Sequence, residues 1–197
     1  MTGATPVEIL TRARTAQPAW AALHVSRRSV ILGELRREIA LHCELIADTI
    51  ARETSKPLLD ALSGDVLVTL EHLRYSESYA GSILRQHRVR KPFFLFRGAR
   101  FESYFEPHGV ALIFGPSNYP FQLSVVPLIT ALAAGNAVVL KCSERTPKTA
   151  ALIARLCGKV NLPADTVQVL CDDPEQSTAL INARPDFIFF TGSSRHG

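Results

Sequence analysis

The order of apolar and polar positions divides the chain into two halves of different character. From Ser26 to about Ser55, isoleucine and leucine recur at steps close to four residues, the spacing of one buried helix face. Pro57 predicts the end of that helix, because proline disfavours helical geometry in the residue before it. A second helical stretch carries apolar residues from Val66 to Leu84 on one side. The first half is therefore predicted to be an amphipathic helical hairpin that packs on a larger surface.

The second half alternates short apolar runs with helical stretches. The apolar runs are 110–114, 137–140, 167–170 and 187–190. The first helical stretch ends at Gly135-Asn136, and the second opens at Thr146-Pro147, with proline at its first position. Continuous apolar strands separated by helices are typical of parallel strands covered on both faces. The pattern predicts an N-terminal helical segment over 1–88 that packs on a doubly wound α/β domain over 109–197.

Residues 85–108 mix aromatic and basic side chains. Aromatic residues on both sides of Arg97-Gly98-Ala99 predict two strands joined by a turn. Basic residues interleaved with aromatics also occur where proteins stack single-stranded nucleic acid. The positive residues of the chain are scattered, however, whereas a nucleic-acid groove concentrates them on one surface. We expect a hairpin over 89–108 and no nucleic-acid partner.

Composition and charge narrow the class of protein. The chain has 197 residues, of which 47% are hydrophobic and 20% charged, so it can bury a real core. Lysine and arginine number 22 against 18 acidic residues, a net charge of only +4. The N-terminus has neither the basic start nor the apolar run of a signal peptide. No stretch of about eighteen apolar residues exists for a membrane span. We expect a cytoplasmic protein with no membrane partner.

The cysteines and histidines indicate neither disulfides nor a metal. The four cysteines lie far apart without a C-x-x-C pair, at Cys43, Cys142, Cys157 and Cys171. Such spacing suits a reducing compartment rather than a disulfide framework. The six histidines show no metal-ligand spacing among themselves or with the cysteines. We therefore predict no metal site.

The turns that follow the predicted strands carry the candidate chemistry. Ligands of doubly wound sheets bind beyond the carboxyl ends of the strands, so these turns should open toward one edge. The turns are Gly115–Asn118 after the first strand, Lys141–Glu144 after the second and Thr191–Gly197 after the fourth. The glycines of the last turn would let backbone amides approach a phosphate as a helix starts. Lys141 offers a cation, and Glu144 offers an acceptor for ribose hydroxyls.

Taken together and in this order, the motifs resemble the aldehyde dehydrogenase superfamily. The resemblance covers the whole chain, including Ser55-Lys56-Pro57, and the run from Ala131 to Pro147 is its most specific part. The other matching segments are Glu-Pro-x-Gly-Val from Glu106, Gly-Pro-Ser-Asn-Tyr-Pro from Gly115 and Phe-Thr-Gly-Ser-x-x-x-Gly from Phe190. The resemblance implies a Rossmann-like sheet of the aldehyde dehydrogenase type, incomplete at the C-terminus, with 109–197 as a partial dinucleotide-binding domain.

The resemblance also implies a reaction and a small-molecule substrate. In the family an aldehyde is oxidised to an acid, or to an acyl derivative, and hydride passes to NAD(P)+. A cysteine attacks the carbonyl, and the oxyanion that forms needs fixed hydrogen-bond donors. Asn118 matches the asparagine whose side-chain amide supplies one such donor. Without the resemblance, Asn118 would be interpreted as a turn residue before proline.

Cofactor contacts are implied in the same way. Lys141 and Glu144 match the positions that bind the adenosine ribose in the family. A carboxylate there suits a free 2′-hydroxyl and repels a 2′-phosphate, so NAD is expected, with NADP left open because some relatives accept both. Backbone groups of 114–116 would line the nicotinamide side, and Ser193 would contact the pyrophosphate. The implied cofactor-binding residues are Phe114, Gly115, Pro116, Ser117, Lys141, Ser143, Glu144, Gly192, Ser193 and Gly197.

The sequence departs from the family's pattern in several places. Ser117 stands where many members carry tryptophan, and Cys142 where they usually carry proline. The turn Cys171–Pro174 replaces one that contains glycine, so the adenine contact there stays open. The family's general-base glutamate and nucleophilic cysteine lie beyond Gly197, and no cysteine of the chain stands in the nucleophile's motif. We expect that this chain alone does not turn over aldehydes, and that the full-length form is a homo-oligomer bridged by the hairpin 89–108.

Two other classes of function stay open. A P-loop nucleotide-binding protein is one, since Gly192 and Gly197 have the spacing that begins Gly-x-x-x-x-Gly-Lys-Ser/Thr. The other is a non-catalytic protein that keeps a partial nucleotide site or an oligomerising hairpin. Binding of NAD without turnover would favour this second class.

Overall fold

The N-terminal half of the chain is helical in the computed structural model, which describes residues 4–88, 100–171 and 174–192. Its helices are α1 (Pro6–Ala21), α2 (Val25–Leu41), α3 (Cys43–Thr54), the single turn α4 (Leu58–Asp60), a π-helical segment (Ala61–Leu67) and α5 (Val68–Ile83). The predicted amphipathic helices are present, but a hairpin is too simple a description. The long predicted helix is interrupted at His42, and Ser55 ends α3 in a left-handed conformation with φ of 57°.

Helix α1 lies within the predicted helical segment 1–88, but the spacing of apolar residues did not mark its bounds. It contains Pro18, and half of its apolar residues are alanines. Its start is nevertheless marked in the sequence, because Thr5 and Glu8 form a reciprocal capping box. The Thr5 N–H donates to the Glu8 carboxylate at 2.7 Å, and the Glu8 N–H donates to the Thr5 hydroxyl at 3.3 Å. A search for capping boxes would therefore have located this helix.

The second half is a parallel four-stranded sheet with helical crossovers, as predicted. Its elements are β3 (Val110–Phe114), α6 (Gln122–Ala133), β4 (Ala137–Lys141), α7 (Pro147–Cys157), β5 (Val167–Leu170), α8 (Pro174–Asn182) and β6 (Phe187–Phe190). The strand order is β5-β4-β3-β6, and Phe114 pairs with both Lys141 and Phe190. The order reverses between β3 and β6, which is the switch point where ligands of such sheets bind.

Helices cover both faces of the sheet. On one face, Ile9 and Leu10 of α1 share a buried cluster with Leu112 and Val139. On the other face, Ile113 joins a larger buried cluster with residues of α6, α7 and the helical half. Successive residues of a strand point to opposite faces, so strands that are apolar throughout need both layers. Trp20 fixes α1 to α6 by donating from Nε1 to the carbonyl oxygen of Leu132 at 2.9 Å.

The predicted hairpin is described only at its base. Strands β1 (His87–Arg88) and β2 (Glu102–Ser103) pair antiparallel, with His87 opposite Ser103. The rest of the two predicted strands and their turn, residues 89–99, lies outside the described residues. The role of 89–108 in bridging subunits stays a prediction.

Two kinds of feature are absent from the described ranges, a membrane-spanning helix and a cluster of metal ligands. None of the helices in 4–88, 100–171 and 174–192 is long and apolar enough to cross a membrane. The same residues contain no group of three or more His, Cys, Asp or Glu side chains that could hold a metal ion.

Candidate functional site

A cleft of about 690 Å³ lies at the carboxyl ends of β3, β4 and β6. The parallel register places these strand ends side by side, which is why turns far apart in the sequence line one cleft. The lining includes most of the cofactor residues that the sequence suggested, namely Phe114, Gly115, Pro116, Ser117, Lys141, Ser143, Glu144 and Gly192. Ser193 and Gly197 lie outside the described residues, so their contribution to the cleft stays a prediction.

Gly115 lets the chain turn sharply where β3 ends. Its N–H donates to the carbonyl oxygen of Lys141 at 2.9 Å, which extends the strand pairing by one residue. A Cβ atom at Gly115 would lie 2.0 Å from the hydroxyl oxygen of Ser124, which is buried in α6. Only glycine therefore allows the backbone to pass this close to α6. The turn that results places Pro116 and Ser117 at the wall of the cleft.

Lys141 provides a buried cation at the end of β4. Its side chain is only 4% exposed, and Nζ donates to the carbonyl oxygen of Cys142 at 2.9 Å. Among the carboxylates that the structure describes, none lies within 4.0 Å of this ammonium. An ammonium has three donors, so Lys141 retains hydrogen-bonding capacity for an oxygen-rich ligand.

Glu144 provides an exposed carboxylate at the same edge. Its Oε1 lies 4.0 Å from Nε of Arg145, which is itself largely in water. This exposed ion pair is weak, because solvent screens it. The Glu144 carboxylate is therefore available to accept hydrogen bonds from hydroxyl groups in the cleft.

Two of the thiols, those of Cys142 and Cys157, are not suited to nucleophilic attack. Cys142 lines the cleft but is buried, and burial raises its pKa to about 12. Burial likewise raises the pKa of Cys157 to about 12. The thiol of Cys171 donates to the carbonyl oxygen of Ser143 at 3.2 Å. A thiol attacks as its thiolate, so Cys142 and Cys157 are inert near neutral pH.

One wall of the cleft was not identified from the sequence. Helix α8 contributes Ser177, Thr178 and Ile181, and Arg145 adds a basic group from the turn after β4. Helix α8 lies between the apolar runs 167–170 and 187–190, where a helical stretch is expected from the alternation, but its polar positions look like an ordinary solvated face. This wall could have been predicted only from the topology, because the helix that precedes β6 must cross near the strand ends.

Asn118 does not line this cleft. Its side chain is exposed, and its carbonyl oxygen accepts a 2.7 Å hydrogen bond from Lys56. The loop that carries Asn118 begins in the cleft at Gly115 and ends at the start of α6. Its assignment as an oxyanion donor stays a prediction.

The chemistry of the cleft fits a dinucleotide. Its volume lies within the range of roughly 300–1,000 Å³ that is usual for cofactor and ligand sites. Lys141 supplies a cation, Glu144 an acceptor and Ser143 a hydroxyl, while Gly115 brings backbone close to the ligand space. A ligand with ribose hydroxyls and anionic groups would use each of these features.

Comparison with known proteins connects this geometry to one family. The model of the aldehyde dehydrogenase family matches residues 2–197. The chain is 38% identical over 188 residues to 4,4′-diapolycopene aldehyde oxidase of a Methylomonas species, which covers 95% of this chain and 36% of that protein. It is 35% identical to N-succinylglutamate 5-semialdehyde dehydrogenase of Novosphingobium aromaticivorans, covering 96% of this chain and 40% of that protein.

The similar solved structures include further aldehyde dehydrogenases. The NAD+ complex of an aldehyde dehydrogenase from Bacillus cereus superposes with a TM-score of 0.87 at 29% identity, covering 98% of this chain and 40% of that one. Aldehyde dehydrogenase 21 from Physcomitrella patens, in complex with the product succinate, gives a TM-score of 0.88 at 25% identity over 96% of this chain and 40% of that chain. The chain thus spans well under half the length of these relatives. Its parallel sheet is Rossmann-like, as predicted, and the chain belongs to the aldehyde dehydrogenase family.

Proposed function

We propose that this chain forms the NAD-binding part of an enzyme that oxidises an aldehyde to the corresponding acid. The observation that carries the proposal is the 690 Å³ cleft at the switch point of the sheet, with Lys141 and Glu144 at its edge. Relatives named as aldehyde dehydrogenases support aldehyde oxidation, and the NAD+ complex of a similar structure supports the cofactor. NAD supplies the hydride acceptor when it is bound.

The residues of the cleft have distinct proposed roles. Lys141 and Glu144 hold the hydroxyls of the adenosine ribose, one as donor and the other as acceptor. Backbone groups of 114–116, with Ser117, line the nicotinamide side, and Ser143 adds a hydroxyl near the ribose. Gly192, Ser193 and Gly197 bring backbone amides and a hydroxyl toward the pyrophosphate.

Glu144 supports NAD in preference to NADP. Its carboxylate would lie beside a 2′-phosphate, and two like charges repel at close range. The Arg145 guanidinium is 4.0 Å away and exposed, so it neutralises that charge only in part.

Asn118 is proposed as an oxyanion donor, and the attacking thiol is proposed to lie outside these 197 residues. The Asn118 side chain is exposed and can turn toward a carbonyl oxygen, whereas Cys142 and Cys157 are buried in their protonated form. Neither Cys43, which begins α3, nor Cys171 lines the cleft. The chain by itself should therefore bind NAD without turning over an aldehyde.

Two finer proposals concern assembly and location. The hairpin 89–108 is proposed to contact a second subunit, and light scattering of the purified protein would test this by its mass. A reducing, cytoplasmic location is proposed because the four cysteines lie far apart in the sequence without a C-x-x-C pair. Fractionation of cells would test that location.

Cofactor titrations of the purified chain test the proposed function. NADH fluorescence should show saturable binding, tighter than for NADPH, and Lys141→Met should weaken NADH binding by about tenfold. Glu144→Gln should reduce the preference for NADH over NADPH. Glu71→Gln is the matched control, because Glu71 is 74% exposed on α5, and it should change neither affinity.

Three outcomes would contradict the proposal in whole or in part. A folded chain that binds neither dinucleotide at millimolar concentration would exclude a cofactor site in this cleft. Steady, aldehyde-dependent NADH formation by the chain alone would show that a nucleophile lies within it. Binding of NADH by the enzyme as its cells make it, without any aldehyde oxidation, would favour the non-catalytic alternative.

A further inference from the structure

A buried ion pair lies beneath the loop that carries Asn118. Lys56 follows the end of α3, and Asp65 belongs to the π-helical segment. Lys56 Nζ lies 3.0 Å from Asp65 Oδ2, and the two side chains are 11% and 0% exposed. Water screens such a pair poorly, so removing either partner leaves an uncompensated buried charge.

Both partners also bond to the loop itself. The second carboxylate oxygen of Asp65 accepts from the N–H groups of Phe121 at 3.1 Å and Gln122 at 3.0 Å, where α6 begins. Lys56 Nζ donates to the carbonyl oxygen of Asn118 at 2.7 Å. One ion pair therefore holds the loop at Asn118 and again three residues later.

Tyr119 closes the space between these two attachments. The Lys56 ammonium lies 3.7 Å from the centroid of the Tyr119 ring, within the range of a cation–π contact. A Cβ atom at Gly64 would lie 2.7 Å from Cε1 of the same ring. Glycine thus lets Tyr119 pack directly on the backbone of the π-helical segment, which fixes the residue next to Asn118 from the other side.

We propose that Lys56 and Asp65 are positioning residues that fix the backbone of Asn118, so that its side-chain amide is presented in one direction. This inference rests on the proposed role of Asn118 as an oxyanion donor. A donor of this kind accelerates a reaction only when it is held in place before the charge develops. A displacement of about 1 Å can cost on the order of a hundredfold in rate.

The chemistry of the pair favours a positioning role over a simple stabilising one. A buried ion pair contributes little net stability, because desolvation offsets most of its attraction. A neutral Ser or Thr would have capped α6 without that cost. What the pair adds is directional bonding at two points of the loop. Neither side chain lines the cofactor cleft, so the pair should affect turnover and not cofactor affinity.

Hydrogen–deuterium exchange on the 197-residue chain tests the attachment without any reaction. Lys56→Met should speed exchange across 118–122 by about tenfold or more, whereas Lys56→Arg should retain the protection. Lys159→Met is the matched control, since Lys159 also pairs with a carboxylate, Glu38, at 3.0 Å. If Lys56→Met fails to fold, the neutral pair Lys56→Met with Asp65→Asn replaces it. Unchanged exchange across 118–122 would overturn the inference, whatever the function.

A double-mutant cycle in the aldehyde-oxidising enzyme that contains this chain tests the consequence. Asn118→Ala should lower kcat by about a hundredfold. Lys56→Met should lower kcat at least tenfold with NAD affinity within twofold, and Lys56→Arg should restore it. The double variant should be no slower than Asn118→Ala, because both changes remove the same donor.

The outcomes separate the two proposals. If Asn118→Ala leaves kcat unchanged, the oxyanion role fails and the positioning inference fails with it. If Asn118→Ala is slow but Lys56→Met is not, or if the two losses add, only the positioning inference is overturned.

Discussion

Glu53 Oε2 accepts hydrogen bonds from both the backbone N–H and the hydroxyl of Thr149, at 2.8 and 2.6 Å. The other oxygen of the carboxylate accepts from the N–H of Lys148 at 2.6 Å. Glu53 lies near the end of α3, and the groups that it binds are the free donors at the start of α7. A carboxylate from the helical half therefore caps a helix of the α/β half, which couples the two parts of the chain.

Loss of this cap should destabilise the whole chain. Glu53→Gln keeps the size of the side chain but removes the charge and one acceptor, so we expect the free energy of unfolding to fall by about 1–2 kcal/mol. Urea denaturation measures the change. Glu71→Gln, on an exposed helix face, should stay within about 0.5 kcal/mol of the parent. Equal losses in the two variants would show that Glu53 does not couple the halves.

The backbone at Gly115 passes close to α6, whereas Gly81 has room for a Cβ atom. Substitution of glycine by alanine should therefore have opposite effects on stability at these two positions. Gly115→Ala places a Cβ atom 2.0 Å from Ser124 Oγ, so it should cost about 1–3 kcal/mol and weaken NADH binding. Gly81→Ala lies in α5, where the nearest heavy atom is 3.9 Å away, and it should stabilise by about 0.5 kcal/mol. Thermal unfolding and NADH titration of both variants check this. A Gly115→Ala variant as stable as its parent would contradict the packing of the turn on α6.

The buried thiols predict a loss of stability in alkali. Burial raises the pKa of Cys142 and of Cys157 from 9.0 to about 12, so the folded state keeps protons that the unfolded state releases above pH 9. Stability should fall as pH rises from 9 toward 12, by up to about 1.4 kcal/mol per pH unit for each thiol. Denaturation at several pH values measures the slope.

A pair of cysteine variants isolates that effect. Cys157→Ala should flatten the alkaline slope, while Cys43→Ala keeps both buried thiols and should retain it. The reagent DTNB at pH 8 should leave Cys142 and Cys157 unmodified until the chain unfolds. Rapid labelling of Cys142 in the folded chain would contradict its burial.

Because α8 forms one wall of the cleft, a bulky side chain at Ser177 should block cofactor binding. Ser177→Trp directs a large ring toward the cleft, and NADH affinity should fall at least about tenfold, which corresponds to 1.4 kcal/mol. Ser82→Trp, on the exposed side of α5, is the control and should bind NADH as the parent does. NADH titration by fluorescence distinguishes the two. Unchanged binding to Ser177→Trp would place the cofactor outside this cleft.

Local signals in the sequence are enough to predict the strands and the residues at their ends. The predicted runs 110–114, 167–170 and 187–190 coincide with β3, β5 and β6, because short apolar runs bounded by glycine, proline and polar residues are local signals. The parallel arrangement then followed from the alternation with helices. Gly115, Lys141 and Glu144 can be placed at one edge from the sequence for the same reason.

Which surfaces cover the sheet, and what supports the loop of Asn118, depends on the packing of the whole chain. Helix α1 packs on β4, more than a hundred residues away in the sequence, and no local pattern encodes that contact. The pairing of Lys56 with Asp65 and Asn118 is of the same kind, since the two segments meet only when α6 docks on the helical half. Periodicity describes how one element presents its faces, whereas the partner of each face depends on how all the elements pack at once.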